Sequence, residues 1–230
     1  MERTYISLDI ETCTAESCDH IACEGNGLNP TIAAITSVGI WIEGQDEGIA
    51  FMLEDYNDEY QLLLIVNQAM EMFNSVEGAT LVTYNGSNFD LPFLRTRMNI
   101  LGVSNSIAVQ TNHPDRKAFY GDTLGDVLIK WGGIVDHLDI AYPFKAEAKW
   151  QGRKGGLKQV FPHHFPGEAI IEVDRENMHL LTREEEEAYV LSDVNATLKL
   201  ALKFRNVSHM FSDSQTLKQD EIRYALQGSN

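Results

Sequence analysis

The chain has 230 residues, of which 43% are hydrophobic, 23% charged and 9% aromatic, a composition that excludes the disordered, collagen-like and low-complexity classes. The formal net charge is −16, from 18 Lys and Arg against 34 Asp and Glu, so the field of the whole molecule repels nucleic acids and anionic membranes. A polyanion can therefore bind only at a local basic patch or through bound cations.

The length and the N-terminal sequence favour one cytoplasmic domain over residues 1–230. A single hydrophobic core commonly serves a chain of this length. The longest apolar runs fall far short of the ~20 residues of a membrane span, so no membrane partner is expected. The N-terminus lacks the basic and apolar regions of a signal peptide.

The three cysteines, Cys13, Cys18 and Cys23, cannot all pair with one another, so a disulfide framework is not expected. Together with His20 they are ligand types for zinc, but their spacing matches no common zinc site. Free thiols in a loop are the favoured interpretation, and a metal site there stays open.

The predicted elements begin with strands and continue with strands that alternate with helices. In chain order they are strands 4–10, 32–43 and 48–53, helix 60–73, strand 80–84, helices 91–101 and 124–131, strand 137–141 and helix 182–204. Thr182 and Glu185 have the spacing of a capping box at the start of the last helix. This order predicts an α/β fold with a mixed sheet.

Two stretches carry weaker signals. Residues 145–167 contain four glycines and are expected to be irregular. Residues 205–230 form a C-terminal extension that could add one more helix.

Asp9 and Glu11 lie two residues apart at the end of the first predicted strand. Because side chains alternate along a strand, both acids share one face, and Ile10 points the opposite way into the core. Two adjacent carboxylates repel each other unless they share a proton or a cation, so the pair suits a hard divalent metal ion. A solvated strand end would carry the same residues, so the pair alone leaves both interpretations open.

Two further positions carry acids that also allow either a structural or a functional interpretation. Asp90 lies in the first turn of a predicted helix, where the helix dipole favours an acid, and a third carboxylate beside a strand end also suits a two-metal site. Tyr189 and Asp193 are four residues apart on one helical face. They could hold a water beside a metal ion, or they could simply hydrogen-bond to each other at the surface.

Taken in order, these residues resemble the three motifs of the DEDD superfamily of 3′–5′ exonucleases, in its tyrosine-bearing subgroup. The motifs are Asp9-Ile-Glu11, Asn85-x-x-x-Phe89-Asp90 and Tyr189-x-x-x-Asp193. Residues 84–95 are most similar to the proofreading domain of family B DNA polymerases, and His137-Leu-Asp139 resembles a stretch between their second and third motifs. The likeness covers residues 4–204, and it implies a stand-alone exonuclease.

This resemblance implies an RNase H-like fold, with a mixed central β-sheet flanked by helices. It implies hydrolysis of phosphodiester bonds from the 3′ end of single-stranded or frayed DNA, with release of nucleoside 5′-monophosphates. Asp9, Glu11, Asp90 and Asp193 would hold two Mg²⁺ or Mn²⁺ ions. Tyr189 would orient the attacking water, because a phenol with a pKa near ~10 is a poor base at pH 7.

Two other functions stay open. Related enzymes degrade RNA, and no residue decides the sugar preference, so the chain could be a 3′–5′ exoribonuclease. The same fold could also serve as a non-catalytic module that binds nucleic acid or a partner protein, although such a module has no need of all four acids and the tyrosine. The acidic net charge also raises the expectation of recruitment by a polymerase or helicase partner.

Residues 145–158 form the one strongly basic window, with five of the 18 basic residues and a single acid. An aromatic ring there could stack on a base while the cations neutralise phosphates, although a solvated loop would have the same composition. In the second motif, Asn85 is expected to line the pocket of the terminal nucleotides, and Phe89 either contacts substrate or packs in the core. The substrate-binding candidates of the basic window are Lys149, Trp150, Arg153, Lys154 and Lys158.

Overall fold

The computed structural model describes residues 4–12, 27–53, 58–74, 79–105, 107–109, 129–131, 136–174 and 180–227. The strands are β1 (Thr4–Thr12), β2 (Ile35–Ile42), β3 (Ile49–Met52), β4 (Ala79–Thr83), β5 (Ile107–Val109), β6 (Ile129–Trp131) and β7 (Asp136–Asp139). The helices are α1 (Glu59–Asn74), α2 (Asp90–Leu101), α3 (Ala141–Trp150), α4 (Leu157–His164) and α5 (Arg183–Gln227). None of these described helices has an apolar stretch that could cross a membrane. The cysteines and His20 lie outside the described residues, so free thiols stay the prediction and a metal site there stays open.

Five of the strands form one mixed sheet in the order β3-β2-β1-β4-β7. β2 pairs antiparallel with β1 and β3, whereas β4 pairs parallel with β1 and β7. The antiparallel part is a three-stranded meander built from the first three predicted strands, and the parallel strands need the longer connections that the helices provide. The predicted α/β fold with a mixed central sheet is confirmed.

Alternation along β1 gives the sheet two faces with different roles. The even-numbered residues from Ile6 to Ile10 point to one face, where they form a core with α1 and α2. Ser7 points to the other face, where its hydroxyl donates to the backbone carbonyl of Val194 in α5 at 2.8 Å. A second core fills the space between this face and helices α3, α4 and α5. Asp9 follows Ser7 at two-residue spacing and therefore also faces α5.

The expectation of an irregular segment over 145–167 is wrong, because α3 and α4 occupy much of it. The glycines lie outside the helices. Gly152 has a φ of +68° just after α3, and Gly156 immediately precedes α4. Short helices gain most of their stability from tertiary packing, here the burial of Phe144 and Phe161 in the second core, and local composition does not report that packing.

The predicted helix over 124–131 is wrong where the structure describes it. Residues 129–131 form β6, which pairs antiparallel with β5. Isoleucine and tryptophan fit a strand well once a partner strand is available, and this pairing outweighs the local apolar pattern. Residues 124–128 lie outside the described part of the chain.

Helix α5 begins with the predicted capping box. The Glu185 N–H donates to Thr182 Oγ1 at 3.2 Å, and the Thr182 N–H donates to Glu185 Oε2 at 2.8 Å. The helix continues to Gln227, well beyond the expected end near residue 204. Up to Gln227, the residues of the expected C-terminal extension are part of this same helix.

Candidate active site

Three of the predicted acids converge where β1 meets α5. One carboxylate oxygen from each of Asp9, Glu11 and Asp193 lies within 4.8 Å of the others. β1 supplies the first two from one face, and α5 supplies Asp193 from a buried position. Carboxylate oxygens are the ligands that hard divalent cations prefer, so this donor set fits an ion such as Mg²⁺ or Mn²⁺.

A glycine in β2 lets α5 lie this close to the sheet. Gly39 pairs with Asp9 across the β1–β2 ladder. A Cβ atom at Gly39 would lie 2.8 Å from Val190 Cγ2 and 3.1 Å from the Val190 carbonyl oxygen, both closer than ordinary contact. The absence of a side chain at Gly39 therefore allows the approach that brings Asp193 beside the acids of β1.

Asp90 reaches β1 from the first turn of α2. Its Oδ1 accepts a hydrogen bond from the Ile10 N–H at 3.1 Å. β4 pairs with β1 only as far as Ser7, so this N–H lies beyond the end of the ladder and takes the carboxylate as its partner. The bond fixes Asp90 at the strand position between Asp9 and Glu11.

Burial disfavours the ionised form of each of the four acids. Burial raises the pKa of Asp9 well above its usual value, and the carboxylates of Asp90, Glu11 and Asp193 raise it further. Burial and the neighbouring Asp193 likewise raise the pKa of Glu11. Burial raises the pKa of Asp90 to about 7 and that of Asp193 to about 6. A bound cation would reverse these shifts, because it favours the ionised form of each acid.

Lys158 places a positive charge inside this acidic cluster. Its ammonium group, in the first turn of α4, donates to Asp193 Oδ1 and lies 4.1 Å from the centroid of the Tyr189 ring. The same charge opposes the upward pKa shifts of Asp9 and Glu11. Sequence reasoning assigned Lys158 to the basic window; the structure places it against the cluster.

Comparison with known proteins then decides the family. The family model described as "DNA polymerase family B, exonuclease domain" matches residues 4–118, half of the chain. The chain belongs to this exonuclease family. The matched part of the exonuclease domain contains Asp9, Glu11 and Asp90, whereas Tyr189 and Asp193 lie beyond it. No curated protein sequence matches the chain.

A solved polymerase structure shares the fold of the exonuclease domain. The family B DNA polymerase of the hyperthermophilic archaeon Pyrobaculum calidifontis is similar with a TM-score of 0.60 and 17% identity, over 88% of this chain and 24% of the polymerase. The chain thus spans about a quarter of that polymerase, and the likeness shows the fold, which confirms the RNase H-like architecture. Exonuclease I is similar with a TM-score of 0.47 and 14% identity, over 87% of this chain and 40% of that chain.

The exonuclease domain has a further acid near the cluster that sequence reasoning missed. Glu186 adds to the upward pKa shift of Glu11, and one of its carboxylate oxygens is buried without a hydrogen-bond partner among the described residues. Glu186 precedes Tyr189 by three residues and Asp193 by seven, so all three share one face of α5. That spacing was the available signal, but a run of four glutamates at a helix start conceals it.

The turn after β4 is held by Asp139 at the end of β7. Its carboxylate accepts hydrogen bonds from the backbone N–H groups of Asn85 at 2.8 Å, Ser87 at 3.0 Å and Ala141 at 3.0 Å. Asn85 has a φ of +76°, a left-handed conformation that asparagine tolerates better than most residues. Its side-chain Oδ1 accepts a hydrogen bond from Lys145 Nζ at 2.6 Å. This candidate substrate residue is therefore fixed in a tight turn just before α2.

The remaining substrate candidates differ in their surroundings. Phe89 packs against Phe93, with ring centroids 5.3 Å apart, and lies partly buried on the first core, which favours the core interpretation. Of the basic-window candidates, Lys158 alone contacts an acid of the cluster. The others lie at the end of α3 and in the turn after it. Lys149, Trp150 and Lys154 are exposed there, and Arg153 is half-buried.

Proposed function

We propose that this exonuclease domain hydrolyses phosphodiester bonds from the 3′ end of single-stranded or frayed DNA, in the 3′–5′ direction, and releases nucleoside 5′-monophosphates. The observation that carries the proposal is the convergence of Asp9, Glu11 and Asp193 within 4.8 Å, with Asp90 bound to the backbone of Ile10 between the first two. Family membership supports nuclease chemistry, and the acids are the residues proposed to carry it out.

The acids would serve as ligands of two Mg²⁺ or Mn²⁺ ions. Divalent ions in such a site stabilise negative charge on the reacting phosphate and make a water molecule a better nucleophile. Burial and mutual repulsion make the ionised forms of Asp9 and Glu11 unfavourable in the metal-free protein. The arrangement therefore gains stability when cations bind, as a site built for metal does.

Two side chains around the acids would act on water and phosphate. Tyr189 is buried on the α5 face that carries Asp193, and its hydroxyl would orient the attacking water. Lys158 brings an ammonium group to the same position, where it can attract a phosphate to a cluster that would otherwise repel it. A tyrosine with this role would make the domain a member of the tyrosine-bearing subgroup.

Asn85 would contact the terminal nucleotide. The turn that carries it is fixed by Asp139 and lies directly before α2, which supplies Asp90. A polar amide in a fixed turn beside the acids can position a nucleotide at little cost in conformational entropy. Phe89 would support this turn from the core side.

Digestion of 5′-labelled oligonucleotides at single-nucleotide resolution tests the proposal. The substrates are matched DNA and RNA strands, with Mg²⁺, Mn²⁺ or EDTA, and the variant is Asp193→Asn. The matched control is Glu187→Gln, which removes one exposed carboxylate from the same helix. We expect a metal-dependent ladder that shortens from the 3′ end, is lost in Asp193→Asn and is kept in Glu187→Gln.

The same gel separates the open alternatives. A faster RNA ladder would favour an exoribonuclease. Shortening from the 5′ end would contradict the proposed direction. Binding of oligonucleotide without cleavage under any metal would favour the non-catalytic module.

A further inference from the structure

An almost fully exposed tryptophan lies at the end of α3. Trp150 has 91% of its surface exposed, the largest exposed fraction among the exposed large hydrophobic residues that the structure describes. Tryptophan side chains are usually well buried, because exposing so large a ring to water is unfavourable. An accessible ring offers a face on which a nucleic-acid base can stack.

Basic residues flank this tryptophan in the sequence. Lys149 precedes it, and Arg153 and Lys154 follow in the turn between α3 and α4. Glu147 is the one acid of the window, and its carboxylate lies 3.0 Å from His164 Nε2 of α4. One negative charge therefore stands against the cations of the window, which outnumber it. The segment is therefore a local positive site on a chain with a net charge of −16, complementary to phosphates.

The segment is anchored at both ends, at one to the turn that precedes α2 and at the other to Asp193. At one end, Lys145 bonds to Asn85, and Lys149 lies one helical turn further along the same face. At the other end, Lys158 bonds to Asp193. Trp150 lies five residues beyond Lys145, which is about 7.5 Å along the axis of α3.

The turn between the two helices also packs on this anchor. A Cβ atom at Gly155 would lie 2.8 Å from the Cα of Lys145, so the two backbones are in close contact. The Gly155 carbonyl accepts a hydrogen bond from the Tyr84 hydroxyl at 2.6 Å. Tyr84 directly precedes Asn85, so the turn is held against the segment that leads to α2.

We infer that Lys149, Trp150, Arg153 and Lys154, here called the α3–α4 surface, bind a single-stranded segment of nucleic acid. The inference rests on the proposed function: the strand whose 3′ end enters the acidic cluster continues over this surface. Trp150 stacks on a base several nucleotides from the 3′ end, and the three cations contact phosphates. This surface supplies the basic patch that the acidic net charge demands.

Binding without cleavage tests the inference directly. The probe is a 3′-blocked, fluorescently labelled oligo(dT) of about 12 nucleotides, a length within the range of single-strand binding sites, followed by anisotropy in EDTA and in the Asp9→Asn background. Trp150→Ala should raise the dissociation constant about fivefold or more, and Trp150→Phe should restore most of the affinity. The control is Ile65→Ala, which truncates a 48%-exposed side chain on α1, the other side of the sheet.

Salt dependence tests the cations separately. Replacing Lys149 and Lys154 together with Gln should lower the slope of log K against log salt by about 1.4, because each phosphate contact of a single strand contributes about 0.7. Lys199→Gln removes one positive charge from α5, where it pairs with Glu168, and should leave the slope unchanged.

Digestion kinetics complete the test. In the otherwise wild-type protein, Trp150→Ala should raise KM on a long oligonucleotide, leave kcat unchanged and leave a dinucleotide substrate unaffected. If Trp150→Ala binds and digests long strands as the wild type does, the α3–α4 surface is overturned while the proposed exonuclease stands. If the wild type cleaves nothing but binds oligo(dT) through Trp150, the surface stands and the proposed exonuclease function fails.

Discussion

Replacing Gly39 with alanine tests whether the close packing of α5 on β2 places Asp193 beside Asp9. Gly39 pairs with Asp9 and has no side chain between β2 and the helix. An added methyl group would clash with Val190 of α5 and push this helix away from the sheet. Because Asp193 lies three residues after Val190, its carboxylate would move with the helix.

The size of the effect follows from the contacts. The nearest atom, Val190 Cγ2, would be 2.8 Å from the new Cβ, so ordinary contact requires the helix to withdraw by roughly 0.6 Å. Overpacking of this kind costs about 1–3 kcal/mol of unfolding free energy. A displacement of about 1 Å in a catalytic group costs roughly 100-fold in rate, so we expect Gly39→Ala to lower kcat by about tenfold or more.

Urea denaturation and digestion kinetics measure the two effects on the same preparations. The double variant Gly39→Ala/Val190→Ala removes the closest clash and leaves the Val190 carbonyl at 3.1 Å and Val194 Cγ1 at 3.2 Å, so it should recover part of the lost activity. Val190→Ala alone controls for the truncation. If Gly39→Ala loses stability but keeps kcat within about threefold of the wild type, the packing of α5 does not set the geometry of the acids.

Three further variants test the site. Asp9→Asn should abolish digestion yet raise the melting temperature in EDTA. This gain should shrink as the pH falls from 8, because the pKa of Asp9 is raised in the folded protein and its protonation relieves the same burial and repulsion. A lower melting temperature of the variant at pH 8 would contradict these electrostatics. Asp139→Asn should lower the free energy of unfolding in urea by roughly 2–4 kcal/mol and raise KM, because the Asp139 carboxylate accepts three backbone hydrogen bonds that hold the turn of Asn85. Unchanged stability would show that the turn keeps its structure without this carboxylate. Lys158→Gln should lower kcat/KM by about tenfold or more. It should also shift the acidic limb of the pH–rate profile to higher pH, since the ammonium group stabilises ionised Asp193. An unchanged profile would show that Lys158 has no such effect.

Strand periodicity and capping chemistry were sufficient to predict the parts of the site that depend on local sequence. Asp9 and Glu11 share a face because strand side chains alternate, and the capping box places the start of α5 correctly. The four-residue spacing of Tyr189 and Asp193 requires only a helix. Each of these features is determined within about ten residues.

The parts that sequence reasoning missed depend on tertiary contacts. Lys158 reaches Asp193 across 35 positions, and no local pattern reports that approach. In the sequence, Gly39 looks like an ordinary strand residue. Its role depends on the close approach of α5, which only the structure shows. Helices α3 and α4 form because their aromatic residues enter the second core, whereas the glycines between them indicate irregular backbone.

The central claim is that Asp9, Glu11, Asp90 and Asp193 hold two divalent metal ions. Calorimetric titration of the metal-free protein with Mn²⁺, in the presence of a nucleoside 5′-monophosphate, counts these ions directly. We predict two Mn²⁺ ions per chain for the wild type, and weaker or lost binding at both positions for Asp9→Asn. Absence of Mn²⁺ binding in the wild type, or the same two ions at the same affinities in Asp9→Asn, would contradict the claim.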